Sequence, residues 1–126
     1  MSNSLSIILF AFSFFSITNP VKASQIALVI DDLGYSYQSG KRAIELPGHI
    51  TYAILPFAPK AKDLAEYAKN RGKEVIIHLP MEAENEQKTK IEEITLLDSM
   101  SKIQYKIIID ASLKRLNTAV GLSNHT

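Results

Sequence analysis

The chain contains no cysteine. That excludes disulfides, thiolate metal sites and cysteine nucleophiles together, and it is compatible with any redox compartment. Neither sign of charge dominates: 14 basic and 13 acidic residues leave a formal net charge of +1. No basic stripe with interleaved aromatics is present, so a nucleic-acid partner has no support. Long apolar runs are scarce as well. The longest, Leu5 to Ile17, falls short of the about 20 residues that a membrane-spanning helix needs. Internal repeats and low-complexity tracts are absent. With 126 residues, 46% hydrophobic and 21% charged, the composition is that of one ordinary globular domain and argues against disorder.

What is present begins with that N-terminal run. It is rich in Ile and Phe, is followed by the helix-breaking pair Asn19-Pro20, and leads into Val21-Lys22-Ala23, a small-x-small pattern. This predicts a secretory signal over residues 1–23, cleaved after Ala23, with residues 24–126 as the mature domain. The positively charged leader segment is reduced to the terminal amine, which leaves an uncleaved anchor or a buried N-terminal strand as the alternatives. Cleavage removes one basic group, Lys22, and no acidic one. The mature chain is then neutral, has no stable membrane anchor, and is expected in the periplasm.

Downstream, short apolar runs alternate with helical patterns. Residues 25–30, 50–55, 74–77 and 119–123 read as strands, the first three rich in Ile and Val. Residues 38–46 form a short helix that Pro47-Gly48 ends. Residues 59–71 form the clearest helix, with Ala61, Leu64, Ala65 and Ala68 at i, i+3, i+4 and i+7, Pro59 in its first turn and Gly72 just past its end. Ser101-Lys102-Ile103-Gln104 is a capping box that opens a third helix. Its apolar face is assigned to Ile103, Ile107 and Ala111, with Ile108 and Leu116 joining less regularly. Residues 82–98 are polar and read as a long exposed loop. The order β-α-β-α-β-loop-α-β defines an α/β fold of parallel strands and crossover helices, with all strand C-terminal ends on one side.

That side is where α/β proteins build sites, and three of the strand ends carry chemistry. The first leads into Asp31-Asp32. Adjacent residues on an extended segment point opposite ways, so one carboxylate can hold a metal while the other faces a substrate. A cation would also relieve their mutual repulsion. The third strand leads into His78 and the fourth into Asn124-His125. One Asp with two His suits Zn²⁺ or another first-row divalent ion and leaves positions open for water and substrate. Glu82 reads as an outer partner that orients His78, or as a surface acid. Tyr35 and Tyr37 are candidates to line a sugar cleft. His49 precedes a strand, belongs to the opposite side, and reads as structural.

Four segments in the same order resemble the divergent polysaccharide deacetylases: Ile26 to Tyr35 with its Asp31-Asp32, Ala53-Ile54-Leu55-Pro56, Gly72 to Glu82 with its His78, and Gly121-Leu122-Ser123-Asn124-His125. The resemblance implies a distorted (β/α) barrel within a larger carbohydrate esterase group. It also implies Asp31 as general base and Asp32, His78 and His125 as metal ligands, Zn²⁺ being the expected ion. Glu82 stands where that larger group has a second metal-binding His, and His125 is expected to replace it. Tyr35 is expected to touch an acetylated glycan. Family domains run to roughly twice this length, so the resemblance implies an N-terminal half, with low or no activity alone.

Two other readings compete. A non-catalytic cell-envelope domain that binds glycan or protein would keep the fold without metal dependence. A phosphoacceptor receiver domain also opens on a strand ending in Asp-Asp, but it needs an acceptor Asp where this chain has His78.

Overall fold

Runs of Ile, Val and Tyr pair into a sheet because each buries apolar surface on a neighbouring helix layer, and the computed structural model follows that logic over the residues it describes, 25–83 and 94–125. Strand β1 is Leu28–Leu33, helix α1 Tyr37–Ile44, β2 Ile50–Ile54, α2 Ala61–Lys69, β3 Glu74–Pro80, α3 Lys102–Arg115 and β4 Gly121–His125. The four strands are parallel and lie in the order β1-β2-β3-β4. Neighbours in space that are also neighbours in sequence are the arrangement of a (β/α) barrel. A receiver-type doubly wound sheet would place its second strand outside its first, so that alternative is excluded. The signal segment lies outside the described residues, as does the 84–93 portion of the long loop.

One sheet face holds the core. Tyr52, Ile54, Val75, Ile77 and Leu79 are buried there with Ile44, Ala61, Leu64, Ala65, Ala68 and Leu116. The buried Tyr52 hydroxyl reaches the Ile44 carbonyl oxygen, and burial pushes its pKa up. Gly40 of α1 lets that helix press onto Leu64 of α2, whose Cδ1 lies 2.5 Å from where a Cβ would stand.

The start of α3 and the end of α2 follow the sequence signals, whereas α2 begins at Ala61, so Pro59 precedes its N-cap Lys60 rather than lying in the first turn. Ser36 caps α1 by accepting the Ser39 N–H, and Ser101 and Gln104 form the expected reciprocal box on α3. After α2, Gly72 takes φ +65°. The Lys73 N–H then reaches the Ala68 carbonyl and the Gly72 N–H reaches that of Lys69, a closure that needs a left-handed residue at this point.

Further expectations are corrected. Strand β1 does not stop before the acidic pair: it runs through Asp31 and Asp32 to Leu33. Strand β3 continues through His78 to Pro80, and β4 lies at 121–125 rather than 119–123. Pairing with a neighbour, which the pattern of one strand cannot show, sets these ends. Helix α3 also packs only in part on the side assigned, through the less regular members Ile108 and Leu116. Ile103 and Ile107 are 73% and 62% exposed, while Tyr105, Ile108, Ile109 and Leu116 meet the core. Isoleucines occur on both sides of this helix, so its periodicity is ambiguous. The buried side is admitted in part by Ser112, fully buried, whose hydroxyl donates to the Ile108 carbonyl and so satisfies itself within the helix.

Candidate metal centre

The site forms where β1, β3 and β4 end. His78 pairs in register with Ser123, and Pro80 with His125. Registered parallel partners, and residues two apart on one strand, share a face. His78, Ser123 and His125 therefore stand on the side of the sheet opposite the core. Asp32 joins them through an irregularity: the β1–β2 register breaks between Ile30 and Leu33, and Asp32 takes φ +58°. Asp is among the few L-residues that tolerate this region. The simple alternation expected for the acidic pair fails at this bulge, which re-aims a side chain as bulges beside sites do.

Three atoms converge. Asp32 Oδ1 lies 3.3 Å from His78 Nε2 and 3.0 Å from His125 Nδ1, and the two ring nitrogens are 3.2 Å apart. A tetrahedral ion with ligand bonds near 2.1 Å has edges of roughly 3.4 Å. The three atoms thus match one triangular face of such a shell, and the two imidazoles with one carboxylate are a donor set that zinc accepts. The convergence also reports curvature. In a flat sheet β1 and β4 would lie roughly 14 Å apart, yet side chains from these two strands touch, so the sheet curls toward this face as part of a barrel.

His78 is the buried member, 6% exposed. Burial, and then the neighbouring His125, lower its pKa, with Asp32 and Asp31 opposing. The lowered value keeps the ring neutral near neutral pH, the form that ligates. Its second nitrogen, Nδ1, lies 2.9 Å from Ser123 Oγ. An Nδ1–H donated to that hydroxyl leaves the Nε2 lone pair facing Asp32 and His125.

Glu82 is not that partner. Its Oε2 accepts the Asp98 backbone N–H at 2.7 Å, and its own N–H goes to Leu96, so it fastens the 96–98 segment beside β3. Ser123, which the sequence reading passed over, stands behind His78 instead. The signal for it was its position two residues before His125 on one strand. Asp31 is exposed, lies outside the three-residue cluster, and is near enough for its charge to act on His78.

Tyr35 is 55% exposed and lines a cleft with Leu55, Pro56, Phe57, Pro59 and Pro80, at the same end of the sheet as the centre. Tyr37 turns away and packs edge-on against Tyr67 of α2, with ring centres 6.1 Å apart. His49 is exposed just before β2, at the other end of the strands.

Parallel strands in barrel order with an Asp-His-His cluster at their C-terminal ends define a class, and the sequence falls within it. A family model described as "Divergent polysaccharide deacetylase" matches residues 28–126. The chain belongs to this family. An uncharacterized protein, YibQ, of Escherichia coli (strain K12) is 37% identical over 110 residues, 87% of this chain and 34% of that protein. An uncharacterized protein of Haemophilus influenzae is 33% identical over 102 residues, 81% of this chain and 36% of its own length. The chain thus spans about a third of the length of these curated relatives. Among solved structures, the uncharacterized protein ATU2773 from Agrobacterium tumefaciens C58 shares the fold, with a TM-score of 0.67 at 21% identity, over 86% of this chain and 44% of that one.

Proposed function

We propose that this chain carries the metal centre of a secreted hydrolase that removes acetyl groups from a polysaccharide or oligosaccharide. The observation that carries the reading is the convergence of Asp32, His78 and His125, whose ligand atoms all lie within 4.8 Å of one another. These three residues would hold the ion, and the nitrogen-rich donor set favours Zn²⁺. Bound there, the ion would supply Lewis acidity toward a water molecule and an acetyl carbonyl oxygen. The chain's own residues supply the rest. Ser123 fixes the ring of His78. Asp31, exposed at the same strand end, accepts the proton of the attacking water. Tyr35 offers an apolar ring with a polar tip to a sugar in the adjoining cleft. The bond from the acetyl carbon to the sugar nitrogen or oxygen then breaks, and the leaving atom takes a proton. The sequence offers no convincing donor for that last proton, so the expected turnover of this chain alone is low.

Acetate release from an N-acetylated chitooligosaccharide tests this, measured with zinc and with chelator for the wild type and Asp31→Asn. Slow release that needs the metal and disappears in the variant is the expected result. A chain that releases no acetate, with or without zinc, fits the rival reading, a non-catalytic envelope domain. Release that is indifferent to chelator removes the metal mechanism.

The periplasmic address belongs to the same proposal and rests on residues 5–23. Among the described residues no helix is long and apolar enough to cross a membrane. Expression of the full chain in a Gram-negative host should give a periplasmic species whose intact mass corresponds to an N-terminus at Ser24. A chain recovered with Met1 in the membrane fraction would show an anchor instead.

A further inference from the structure

On the helical side of the molecule, away from the strand ends that carry the metal centre, a cavity of about 120 Å³ is lined by Lys62 and Glu66 of α2, Lys114 and Arg115 at the end of α3, and Asn117 and Thr118 of the turn that follows. We propose that this cavity is a binding site for a small oxyanion of the phosphate type.

Two observations carry the inference together. Three cationic side chains from two separate helices meet one carboxylate, so the lining is net positive. Within that lining Arg115 Nε and Thr118 Oγ1 are buried and have no hydrogen-bond partner among the described residues. Buried polar groups in native proteins are almost always paired, and two such groups at one cavity mark a place where acceptor oxygens are missing. A guanidinium N–H, a hydroxyl and flanking ammonium groups are the donors that bind phosphate oxygens. The volume far exceeds the ~10–15 Å³ that admits one water.

A simpler explanation covers only part of this. Lys114 and Arg115 lie in the last turn of α3, where cations answer the negative end of the helix dipole. That accounts neither for Lys62 on a different helix nor for the buried, unpaired Nε and Oγ1. The ligand is placed by its charge and its acceptors: one carboxylate, Glu66, stands among three cationic side chains in the lining, and the donors suit one compact anionic group.

The experiment is an inorganic-phosphate titration of the full chain, followed by backbone amide shifts and by the thermal midpoint, against sodium chloride at matched ionic strength. The expected result is a saturable shift confined to residues 62–66 and 114–118 and a rise in midpoint absent with chloride. Arg115→Gln should weaken the apparent affinity roughly tenfold, about what one charge-assisted hydrogen bond is worth. Lys62→Ala, an exposed substitution that leaves the core untouched, should weaken it as well, and it keeps the test open if Arg115→Gln fails to fold. Asp32→Asn at the distant metal centre should leave it unchanged. Shifts that do not saturate, that match those of chloride, or that are indifferent to both Arg115→Gln and Lys62→Ala would overturn the proposal, whatever the outcome at the metal centre.

Discussion

Zinc should bind the chain one to one, and Asp32→Asn should weaken that binding by more than about a hundredfold, beyond the range that loss of an outer-sphere partner produces. The size of the effect follows from the geometry. Among the described residues Asp32 supplies the only carboxylate oxygen in the cluster, and that atom lies within 3.3 Å of both ligand nitrogens. The choice of asparagine matters. Asp32 sits at φ +58°, a region that asparagine tolerates and alanine does not. Asp32→Ala therefore removes a ligand and strains the backbone, while Asp32→Asn removes the charge alone. Titration calorimetry of both variants separates the two effects. Ser123→Ala belongs in the same series as the milder case: it frees His78 Nδ1 from its 2.9 Å contact and should cost about 10- to 100-fold in affinity. Equal affinities across wild type, Asp32→Asn and Ser123→Ala would mean that zinc binds elsewhere.

Gly34→Val should destabilise the fold by roughly 3–5 kcal/mol, adding backbone strain to overpacking. Against the ~5–15 kcal/mol stability of an ordinary domain, that is enough to abolish cooperative unfolding or lower its midpoint severely. Gly34 is buried at φ +138°, and a Cβ there would stand 2.5 Å from Ala58 Cβ and 3.3 Å from the Leu55 carbonyl oxygen. Its own carbonyl accepts the Lys60 N–H, and the preceding carbonyl, of Leu33, accepts that of Leu55. These bonds fasten the segment after Asp32 to the turn between β2 and α2, so no easy movement relieves the clash. Gly48→Ala is the comparison. Gly48 also has positive φ, +97°, but open space lies where its Cβ would be, so only the strain remains, about 1–3 kcal/mol. Thermal and urea unfolding of the two variants should rank them in that order. A Gly34→Val protein as stable as Gly48→Ala would show that the β1 end is more compliant than its packing indicates.

The element order, the parallel sheet and the strand-end location of the site were legible because each rests on local signals. Apolar runs, a Pro-to-Gly helix, a capping box and chemically active residues just past Ile30, Ile77 and Leu122 all lie within short stretches of chain. What was not legible depends on pairing. Choosing Asp32 over Asp31 from residues alone fails, because the side chain's direction comes from a register break against β2, and only the family resemblance distinguished the two. Ser123 looked like any polar strand residue until its register partner proved to be His78. Glu82 read as an orienting partner or a surface acid, and its carboxylate accepts the Asp98 backbone N–H. The packing side of α3 was legible only through Ile108 and Leu116, because isoleucines at 103, 107, 108 and 109 support more than one stripe, and the sheet decides among them.

The contact between Asp32 and His125 joins the first strand to the last across two intervening strands. A cation seated there would act as a covalent staple does in other small domains, in a chain that has no cysteine to make one. The positions it ties are roughly 90 residues apart, a span over which loop-closure entropy is substantial. The same long separation makes this corner one of the last to assemble during folding, since every strand must be in place before the three side chains can meet.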